Sequence, residues 1–216
     1  MEKQLLIFDL DGTLAETRQD LTTGINLMRA QYDLPPLDVD TVTGFIGNGT
    51  RKLVEHSVRD ARVDVDEALA LNKQFYAEHM FDETRLYLGV EEGLCALAGN
   101  ELAVLSNKPG DLTRAILKHL GVDGLFFRMF GGGDLSNLKP APDGIETLRE
   151  ESGISKENTW MIGDHHTDLE GAHIAGVKSG FVTYGIGYAA EFTADQTWNG
   201  FEELTEFFAG YGMRDA

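Results

Sequence analysis

The sequence predicts an α/β protein with a doubly wound parallel sheet and a helical cap inserted after the first strand. Three observations predict it. An apolar run near the start, which places residues 5–9 in the sheet, is typical of a buried strand. From about residue 88 onward, short apolar runs alternate with amphipathic helical patterns, which indicates a parallel sheet with a Rossmann-like core. Between these two parts, residues 17–81 carry helical spacing without a convincing strand.

The elements follow in order along the chain. The first strand ends where Asp-Gly, a turn signal, follows the apolar run. The helical segment is marked by Leu21, Ile25 and Met28 and again by Leu69, Tyr76 and Met80, with turns at 33–36 and 43–49. Later strands are predicted at 102–105, 128–131, 159–162 and 180–183. The later helices are marked by Leu112, Ile116 and Leu120, by Ile145 and Leu148, by Leu169 and Ala172, and by Phe201, Leu204 and Phe208.

These patterns divide the chain into two units. Residues 1–14 and 88–216 are expected to form the α/β core, and residues 15–87 are expected to form the helical cap. The joints between them are expected near 14–17 and 81–88, where the pattern changes. We expect the cap to act as a lid over the end of the first strand.

The amino-acid composition limits the kinds of partner that the protein can bind. The 216 residues carry 36 acidic and 18 basic side chains, for a formal net charge of -18. This balance disfavours nucleic acid or an anionic membrane as the main partner, because both require a basic face. A signal-peptide pattern and an apolar run long enough to span a bilayer are both missing from the sequence, so we expect a cytoplasmic protein. Cys95 is the only cysteine, expected in the core, and the sequence gives no indication of oligomeric state.

Two acids close the first strand. Alternation along an extended chain sends the side chains of Asp9 and Asp11 to the same side. Their charges repel each other and require a cation or a proton where they meet the core. Asp11 next to Gly12 is also compatible with ordinary turn chemistry. Because Asp9 sits inside the apolar run, the pair favours a metal site with a nucleophilic or acid-base carboxylate.

Three more polar clusters follow predicted strands. They are Ser106-Asn107-Lys108, then Lys139 before Pro140, and Gly163-Asp164 with Asp168. Each alone has an ordinary alternative, such as an N-cap or turn, a solvated loop lysine, or an acid at a helix N-terminus. Ligands of open parallel sheets bind beyond the carboxyl ends of the strands. We therefore expect all three clusters to meet Asp9 and Asp11 there.

The four clusters together resemble the motifs of the haloacid dehalogenase-like superfamily of phosphohydrolases. Asp9-Leu10-Asp11-Gly12-Thr13 is similar to its first motif, Ser106 to the second, Lys139 to the third, and Gly163-Asp164 with Asp168 to the fourth. Within the superfamily, residues 45–49 and 131–134 followed by Lys139-Pro140 resemble phosphoglycolate phosphatases. The sequence departs from the common pattern at Ala15-Glu16-Thr17 and at His165-His166.

The resemblance implies a magnesium-dependent phosphatase that hydrolyses a small phosphate monoester, similar to phosphoglycolate, through an aspartyl-phosphate. Asp9 is then the nucleophile, and Asp11 protonates the leaving alkoxide and afterwards activates water. Asp9, the Asp11 backbone carbonyl and Asp164 suit Mg²⁺, which prefers oxygen ligands. The transferring group is expected to contact Ser106 and Lys139, and Asp168 is expected to orient Lys139 or a metal-bound water from behind.

Further substrate contacts are expected from Gly12, Thr13, Asn107 and Arg51. The turn at 47–51 is the expected substrate-facing turn of the cap, because its glycines allow close backbone approach. Arg51 would pair there with a second anionic group, such as a carboxylate. The alternative for Arg51 is a solvated charge at the start of a helix.

Other functions use similar residues. A sugar-phosphate mutase, or another small-metabolite phosphatase, has the same core and is the nearest alternative. A phospho-accepting signalling receiver also places acids, a hydroxyl residue and a lysine around magnesium, but receivers are compact and carry no helical insertion after the first strand. A binding protein that has lost catalysis is disfavoured because all the motif residues are present. His165 and His166 are interpreted as loop residues, with metal ligation as the alternative.

Overall fold

The computed structural model describes residues 2–210. The strands are β1 (Leu5–Phe8), β2 (Ala15–Glu16), β3 (Arg85–Leu86), β4 (Glu101–Pro109), β5 (Arg128–Gly132), β6 (Thr159–Gly163), β7 (Lys178–Val182) and β8 (Gln196–Trp198). The α-helices are α1 (Arg18–Ala30), α2 (Val39–Thr43), α3 (Thr50–Ser57), α4 (Val65–His79), α5 (Val90–Ala96), α6 (Gly110–His119), α7 (Asp143–Ser152), α8 (His166–Ala175) and α9 (Phe201–Gly210).

The main sheet is parallel, with six strands in the order β5-β4-β1-β6-β7-β8. The chain order reverses beside β1, so β4 and β6 flank it and their carboxyl ends lie on either side of its end. This is the switch point at which open α/β sheets bind ligands. The predicted fold class, a doubly wound parallel sheet, is confirmed.

Strand β1 shows how the sequence produces a buried sheet. Its side chains alternate, so Leu6 and Phe8 pack on one face, in a cluster that includes residues of α5, α6 and α9. Leu5 and Ile7 pack on the other face against α7 and α8. All four are fully buried, which is why the strand reads as one continuous apolar run rather than an alternating pattern.

The helical segment α1–α4 lies between β2 and β3, which pair antiparallel to each other outside the main sheet. The two crossings of the chain between sheet and helices therefore run side by side. At the base of α1, the buried Asp20 carboxylate accepts hydrogen bonds from the backbone N–H groups of Glu83 and Thr84 at 2.9–3.1 Å. These bonds fix the start of α1 to the returning chain.

The division into core and cap stays a prediction. The two-stranded ribbon β2-β3 lies at the predicted joints, and Gly24 of α1 packs directly against the backbone of Tyr76 on α4. Residue 1 and residues 211–216 of the predicted core lie outside the described residues. No helix within residues 2–210 has the length and apolar character needed to cross a membrane.

Two expectations need correction. Strand β8 was not predicted; it is a three-residue edge strand with only one buried residue, Trp198, so its apolar signal is weak. Cys95 is exposed rather than part of the core. The buried residues of α5 are Val90, Gly93 and Leu94, and Cys95 points to the opposite side of the helix.

Candidate active site

The predicted polar clusters meet at the carboxyl end of the sheet. Asp9 directly follows β1, Ser106, Asn107 and Lys108 form the last part of β4, and Asp164 follows β6. A cavity opens at this point, under the helical segment. It is lined on the sheet side by Asp9, Asp11, Ser106, Asn107 and Lys108, and on the helical side by Leu21, Ile46, Gly47, Gly49, Thr50 and Leu53.

Asp9 is held rigidly at the end of β1. Its backbone N–H continues the sheet by donating to the Ile162 carbonyl at 2.9 Å, and its carboxylate accepts from the Leu10 N–H at 2.7 Å. The Lys139 ammonium lies 3.0 Å from the same carboxylate. Burial, together with the neighbouring acids Asp168 and Asp11, raises the pKa of Asp9 to about 6, although Lys139 opposes this shift.

Lys139 is buried between two acids. Its ammonium donates to Asp168 at 2.7 Å and contacts Asp9 at 3.0 Å. Although burial alone would lower it, the pKa of Lys139 is raised by the two carboxylates, so the side chain is cationic. The second oxygen of Asp168 accepts from the backbone N–H of His165 at 3.1 Å. Asp168 therefore fixes both the lysine and the turn that carries Asp164.

Asp164 is oriented by the loop that follows β7. One carboxylate oxygen accepts from the backbone N–H groups of Ile186 and Gly187, both at 2.7 Å, and the other accepts from the Thr13 hydroxyl at 3.2 Å. Burial, and then the charges of Asp9 and Asp168, raises the pKa of Asp164 to about 7. The orientation of the Asp164 carboxylate is therefore fixed, but its negative charge is poorly neutralised by its neighbours.

Gly12 makes room for that carboxylate. Its φ of +85° is a left-handed conformation that favours glycine, and a Cβ there would lie 2.1 Å from a carboxylate oxygen of Asp164. The structure gives Gly12 a steric role, because the first motif and the fourth motif touch at this point, and its predicted contact with the substrate stays a prediction.

The donor set fits a hard divalent cation. Asp9, Asp164 and Asp168 offer oxygen atoms that lie within 4.8 Å of one another, and all three residues are buried. Since the single Lys139 ammonium is shared between Asp168 and Asp9, Asp9 and Asp164 retain negative charge that this lysine does not neutralise. Their raised pKa values mean that both are ionised together only at a cost, which a cation between them would remove. Oxygen donors of this kind suit Mg²⁺.

Asp11 faces away from this acid cluster. Both of its carboxylate oxygens accept from the Lys108 ammonium, at 2.9 and 3.0 Å, and one also accepts from the Thr17 hydroxyl at 2.6 Å. Lys108 in turn lies 4.7 Å from the centre of the Tyr76 ring, a cation–π contact with helix α4. Asp9 and Asp11 thus belong to the same cavity but have different lysine partners.

Ser106 and Asn107 have different surroundings. The Ser106 hydroxyl accepts from the Lys108 N–H at 3.3 Å, which leaves its own proton free to donate into the cavity. The Asn107 amide is committed to backbone groups: it donates to the carbonyls of Gly47 and Lys139, both at 2.9 Å, and accepts from the Lys139 N–H at 2.8 Å. The Asn107 side chain therefore ties the 44–49 turn to Lys139, and its predicted contact with a substrate stays a prediction.

Arg51 is not brought into the cavity, although its neighbour Thr50 lines it. More than half of the Arg51 side chain is exposed, and its guanidinium pairs with Asp66 at 2.7 Å and Glu55 at 3.2 Å. This surface pairing supports the alternative interpretation, a solvated charge near the start of α3, and argues against a direct substrate contact.

His165 packs beneath the helical segment. Its ring nitrogen Nδ1 lies 3.0 Å from the Thr167 hydroxyl, and a Cβ on Gly47 would lie 2.7 Å from Nε2. Burial and the nearby His166 lower the pKa of His165 to about 4, so the ring is neutral at neutral pH. Neither histidine joins the acid cluster within the described residues. His165 is the N-cap of α8 and His166 is its first residue, so the pair lies at the start of a helix rather than in a loop.

Sequence reasoning missed Lys108, Thr17, Tyr76 and the 185–187 loop. Lys108 stood in a recognised cluster, but its partner Asp11 is 97 positions away in sequence and Tyr76 belongs to a different unit. In the sequence, the signal available for this loop is its glycines. In the folded chain these glycines allow close packing, since a Cβ on Gly185 would lie 2.3 Å from the Asp164 Cβ. Pairing across such distances is visible only in the folded chain.

Comparison with known proteins agrees with this geometry. The family model described as haloacid dehalogenase-like hydrolase matches residues 6–182. A phosphoglycolate phosphatase from Colwellia psychrerythraea is 34% identical over 200 residues, which cover 88% of each chain. Another phosphoglycolate phosphatase, from Chromobacterium violaceum, is 33% identical over 205 residues, covering 91% of this chain and 92% of the relative.

A solved structure extends the comparison to three dimensions. A crystal structure from Haemophilus somnus, described as a predicted phosphoglycolate phosphatase, matches with a TM-score of 0.90 and 30% sequence identity. The match covers 96% of this chain and 99% of that one. It includes the segments that carry all four polar clusters.

Proposed function

The chain belongs to the haloacid dehalogenase-like hydrolases and is a phosphatase. We propose that it hydrolyses a small anionic phosphate monoester of the phosphoglycolate type, with magnesium and through an aspartyl-phosphate on Asp9. The observation that carries the proposal is the position of Asp9. Its carboxylate is buried at the end of β1, 3.0 Å from the Lys139 ammonium and within 4.8 Å of the Asp164 carboxylate. A buried acid with cationic surroundings on one side and an open cavity on the other is suited to attack phosphorus.

The first step transfers the phosphoryl group to the protein. An Asp9 carboxylate oxygen forms a bond to phosphorus while the bond from phosphorus to the ester oxygen breaks. Asp11 gives a proton to that departing oxygen, so the leaving group departs with a hydroxyl group rather than as an alkoxide. The Ser106 hydroxyl and the Lys139 ammonium are positioned to donate to the equatorial phosphoryl oxygens, where charge must be stabilised.

The second step returns Asp9 to its starting form. Asp11, now ionised, takes a proton from a water molecule, and the water oxygen attacks the phosphorus of the aspartyl-phosphate. The bond between phosphorus and the Asp9 oxygen breaks, which releases inorganic phosphate. One residue therefore acts first as acid and then as base, and its separate pairing with Lys108 and Thr17 supports a role distinct from that of Asp9.

Magnesium would be held by Asp9, Asp164 and the Asp11 backbone carbonyl. When bound, it supplies positive charge that reduces the repulsion between the Asp9 carboxylate and the phosphate dianion. Lys139, fixed by Asp168, adds a second positive charge on the other side of Asp9. The residues on the helical side of the cavity, Leu21, Ile46, Gly47, Gly49, Thr50 and Leu53, supply shape rather than charge.

We propose residues 15–87 as the cap of this site. Ile46, Gly47, Gly49, Thr50 and Leu53 form the wall of the cavity opposite the acids. This wall would limit the size of the leaving alcohol and keep bulk water from the aspartyl-phosphate. The ribbon β2-β3, with its paired crossings, is the proposed hinge.

Phosphate release from 2-phosphoglycolate tests the function. The protein with Mg²⁺ is expected to release inorganic phosphate, and chelation of the metal is expected to stop the release. Asp33→Asn, at an exposed turn, serves as a control and should keep full activity, while Asp9→Asn should abolish it. Activity that persists in Asp9→Asn would contradict the proposed mechanism, and a stable phosphoprotein without phosphate release would favour a signalling receiver.

A further inference from the structure

Lys108 is a buried cation on the leaving-group side of the cavity. Its side chain is 4% exposed, which is rare for lysine and costly without a partner. It lies beside Asp11, the residue that would protonate the departing oxygen, whereas Lys139 lies beside Asp9. The two lysines therefore pair with different carboxylates of the site, and the proposed mechanism assigns only Lys139 to the phosphoryl group.

The surroundings of Lys108 hold the ammonium in the cavity wall. Asp11 binds it from one side at 2.9 Å, and the Tyr76 ring lies 4.7 Å away on the other. The Tyr76 hydroxyl is buried beside the same ammonium, yet no described residue pairs with it in good hydrogen-bond geometry. Burial raises the pKa of Tyr76 to about 12, so this hydroxyl keeps its proton and is a second donor.

We propose that Lys108 is the specificity-determining residue of this phosphatase and that its ammonium binds a carboxylate on the leaving alcohol. The inference rests on the proposed function and deepens it by assigning the leaving group. In a 2-phospho acid, the carboxylate is one methylene away from the ester oxygen, which is the oxygen that Asp11 protonates. An ammonium in contact with Asp11 is therefore within reach of that carboxylate.

The contacts of Asp11 explain why a carboxylate on the leaving group would favour the reaction. Both Asp11 oxygens point to Lys108, and one also accepts from Thr17. Asp11 loses at least one of these contacts when it turns to the departing oxygen. A buried ammonium that loses its carboxylate partner is strongly destabilised, and a substrate carboxylate replaces the missing partner. A neutral leaving group offers no such replacement.

Arg51 and Lys139 are less suited than Lys108 to bind a carboxylate on the leaving group. Arg51 was the expected carboxylate ligand, but its guanidinium is committed to Asp66 and Glu55 on the surface. Lys139 is committed to Asp9 and Asp168. Among the basic side chains that line the described cavity, Lys108 is the one on the leaving-group side.

Two esters of equal length provide the test. The kcat/KM values of 2-phosphoglycolate and of ethylene glycol monophosphate, which replaces the carboxylate by a neutral hydroxymethyl group, are measured at saturating Mg²⁺. The unsubstituted protein is expected to prefer phosphoglycolate. In Lys108→Met, this preference is expected to fall by about 10- to 100-fold, the loss typical of a hydrogen bond to a charged group. Lys108→Gln, a polar replacement for use if the methionine variant does not fold, is expected to lose the preference likewise.

Controls separate the possible outcomes. Lys52→Met removes an exposed lysine of α3 that pairs only with Glu55 and should leave the preference intact, as should Arg51→Ala. Equal losses on the two esters would overturn the inference, because Lys108 would then act only through Asp11. Loss of preference in Arg51→Ala alone would overturn it too, as would an unsubstituted protein that turns over both esters without preference. If neither ester is hydrolysed by the unsubstituted protein, the proposed function itself fails.

Discussion

The buried charges of the cavity are arranged as separate lysine–carboxylate groups. Lys139 contacts Asp9 and Asp168, and Lys108 contacts Asp11. Pairing of this kind gives Asp9 and Asp11, which are only two positions apart in the sequence, different electrostatic surroundings. It supports the assignment of nucleophile and acid-base roles to Asp9 and Asp11, respectively, because each carboxylate is held in its own direction.

At the residue scale, Asp164 carries a prediction about metal affinity. Asp164→Ala is expected to weaken Mg²⁺ binding by more than about tenfold, because it removes a buried carboxylate oriented by two N–H groups and a hydroxyl. Isothermal titration calorimetry with Mg²⁺ measures this directly, without the need for turnover. Asp33→Ala is the matched control, since that acid lies on an exposed turn. Unchanged Mg²⁺ affinity in Asp164→Ala would remove this residue from the metal site.

How far single residues are predictable depends on their partners. Asp9, Asp11, Ser106, Lys139 and Asp164 stand at strand ends, and local sequence is enough to bring them to one edge of a parallel sheet. Lys108 was visible as part of a cluster, but its contact with Asp11 and its stacking on Tyr76 cross between distant segments. For Arg51, the local sequence suggested a ligand contact because the residue follows a glycine-rich turn. In the structure its guanidinium forms ion pairs with surface acids on α3 and α4.

At the scale of elements, the 44–49 turn is one of the parts of the helical segment that contact the carboxyl end of the sheet. The Gly47 carbonyl accepts from Asn107, whose side chain also holds Lys139. Gly47 has a φ of +105° and lies against the His165 ring. The turn, the lysine segment and the turn after β6 are therefore linked through Asn107 and His165.

Substitution of Gly47 tests that link. Gly47→Ala places a Cβ 2.7 Å from His165 Nε2 in addition to the strain of its positive φ, so the turn must move away from the sheet. We expect kcat/KM on 2-phosphoglycolate to fall by about tenfold or more, because misplacement of catalytic groups is costly. Steady-state kinetics give the value.

Gly121→Ala is the matched control for this substitution. Gly121 also has a positive φ, +76°, but a Cβ there would meet nothing within 4 Å. The variant carries the backbone strain without the steric contact, and its kcat/KM should stay close to that of the unsubstituted protein. Similar activities in the two alanine variants would show that the Gly47 contact has no role in the site.

The elements themselves were mostly predictable. The apolar runs predicted the interior strands, and amphipathic spacing predicted the main helices. Such prediction is possible because an element that is buried on a defined face has a periodic pattern of apolar residues. Strand β4 runs four residues beyond the predicted end at 105, through polar residues that are buried because they line the cavity. Strand β8 at the sheet edge was not predicted, because two of its three residues are exposed.

At the scale of the whole molecule, the parallel sheet and its helices on both faces were predicted from the alternation of strand and helix patterns. The position of the helical segment over the end of β1 was expected as well, but its individual contacts with the sheet were not. Sequence patterns describe each unit separately. The contacts between units, such as Tyr76 with Lys108 and Gly47 with Asn107, depend on how the two-stranded ribbon directs the chain. The proposed substrate preference depends on those contacts.

The acid cluster makes the stability of the metal-free protein depend on pH. Asp164 has an ordinary pKa of 3.8, raised to about 7 in the folded protein, so between about pH 4 and pH 7 the native state binds more protons than the unfolded chain. Its contribution to the free energy of unfolding is therefore present at low pH and is lost as the pH rises through about 7. Bound Mg²⁺ should reverse that loss by compensating the ionised carboxylates.

A comparison with Asp164→Asn isolates this contribution from other titrating groups. Without metal, the Tm of Asp164→Asn minus that of the unsubstituted protein should increase from about pH 5 to about pH 8, because only the unsubstituted protein acquires the buried charge. The pKa of His165, lowered to about 4, acts in the opposite direction but is shared by both proteins. Thermal unfolding with a chelator provides the data. A difference that is constant or decreasing with pH would contradict the electrostatic account of the acid cluster.

The covalent role of Asp9 is the central claim, and acid quenching during turnover tests it most directly. Protein mixed with 2-phosphoglycolate and Mg²⁺ is quenched in acid, digested and analysed by mass spectrometry for a phosphorylated Asp9. The account predicts a phosphoryl group on the peptide that contains Asp9 in the unsubstituted protein and none in Asp9→Asn. Steady phosphate release without any phosphorylated Asp9, or a phosphoryl group on another residue, would contradict it.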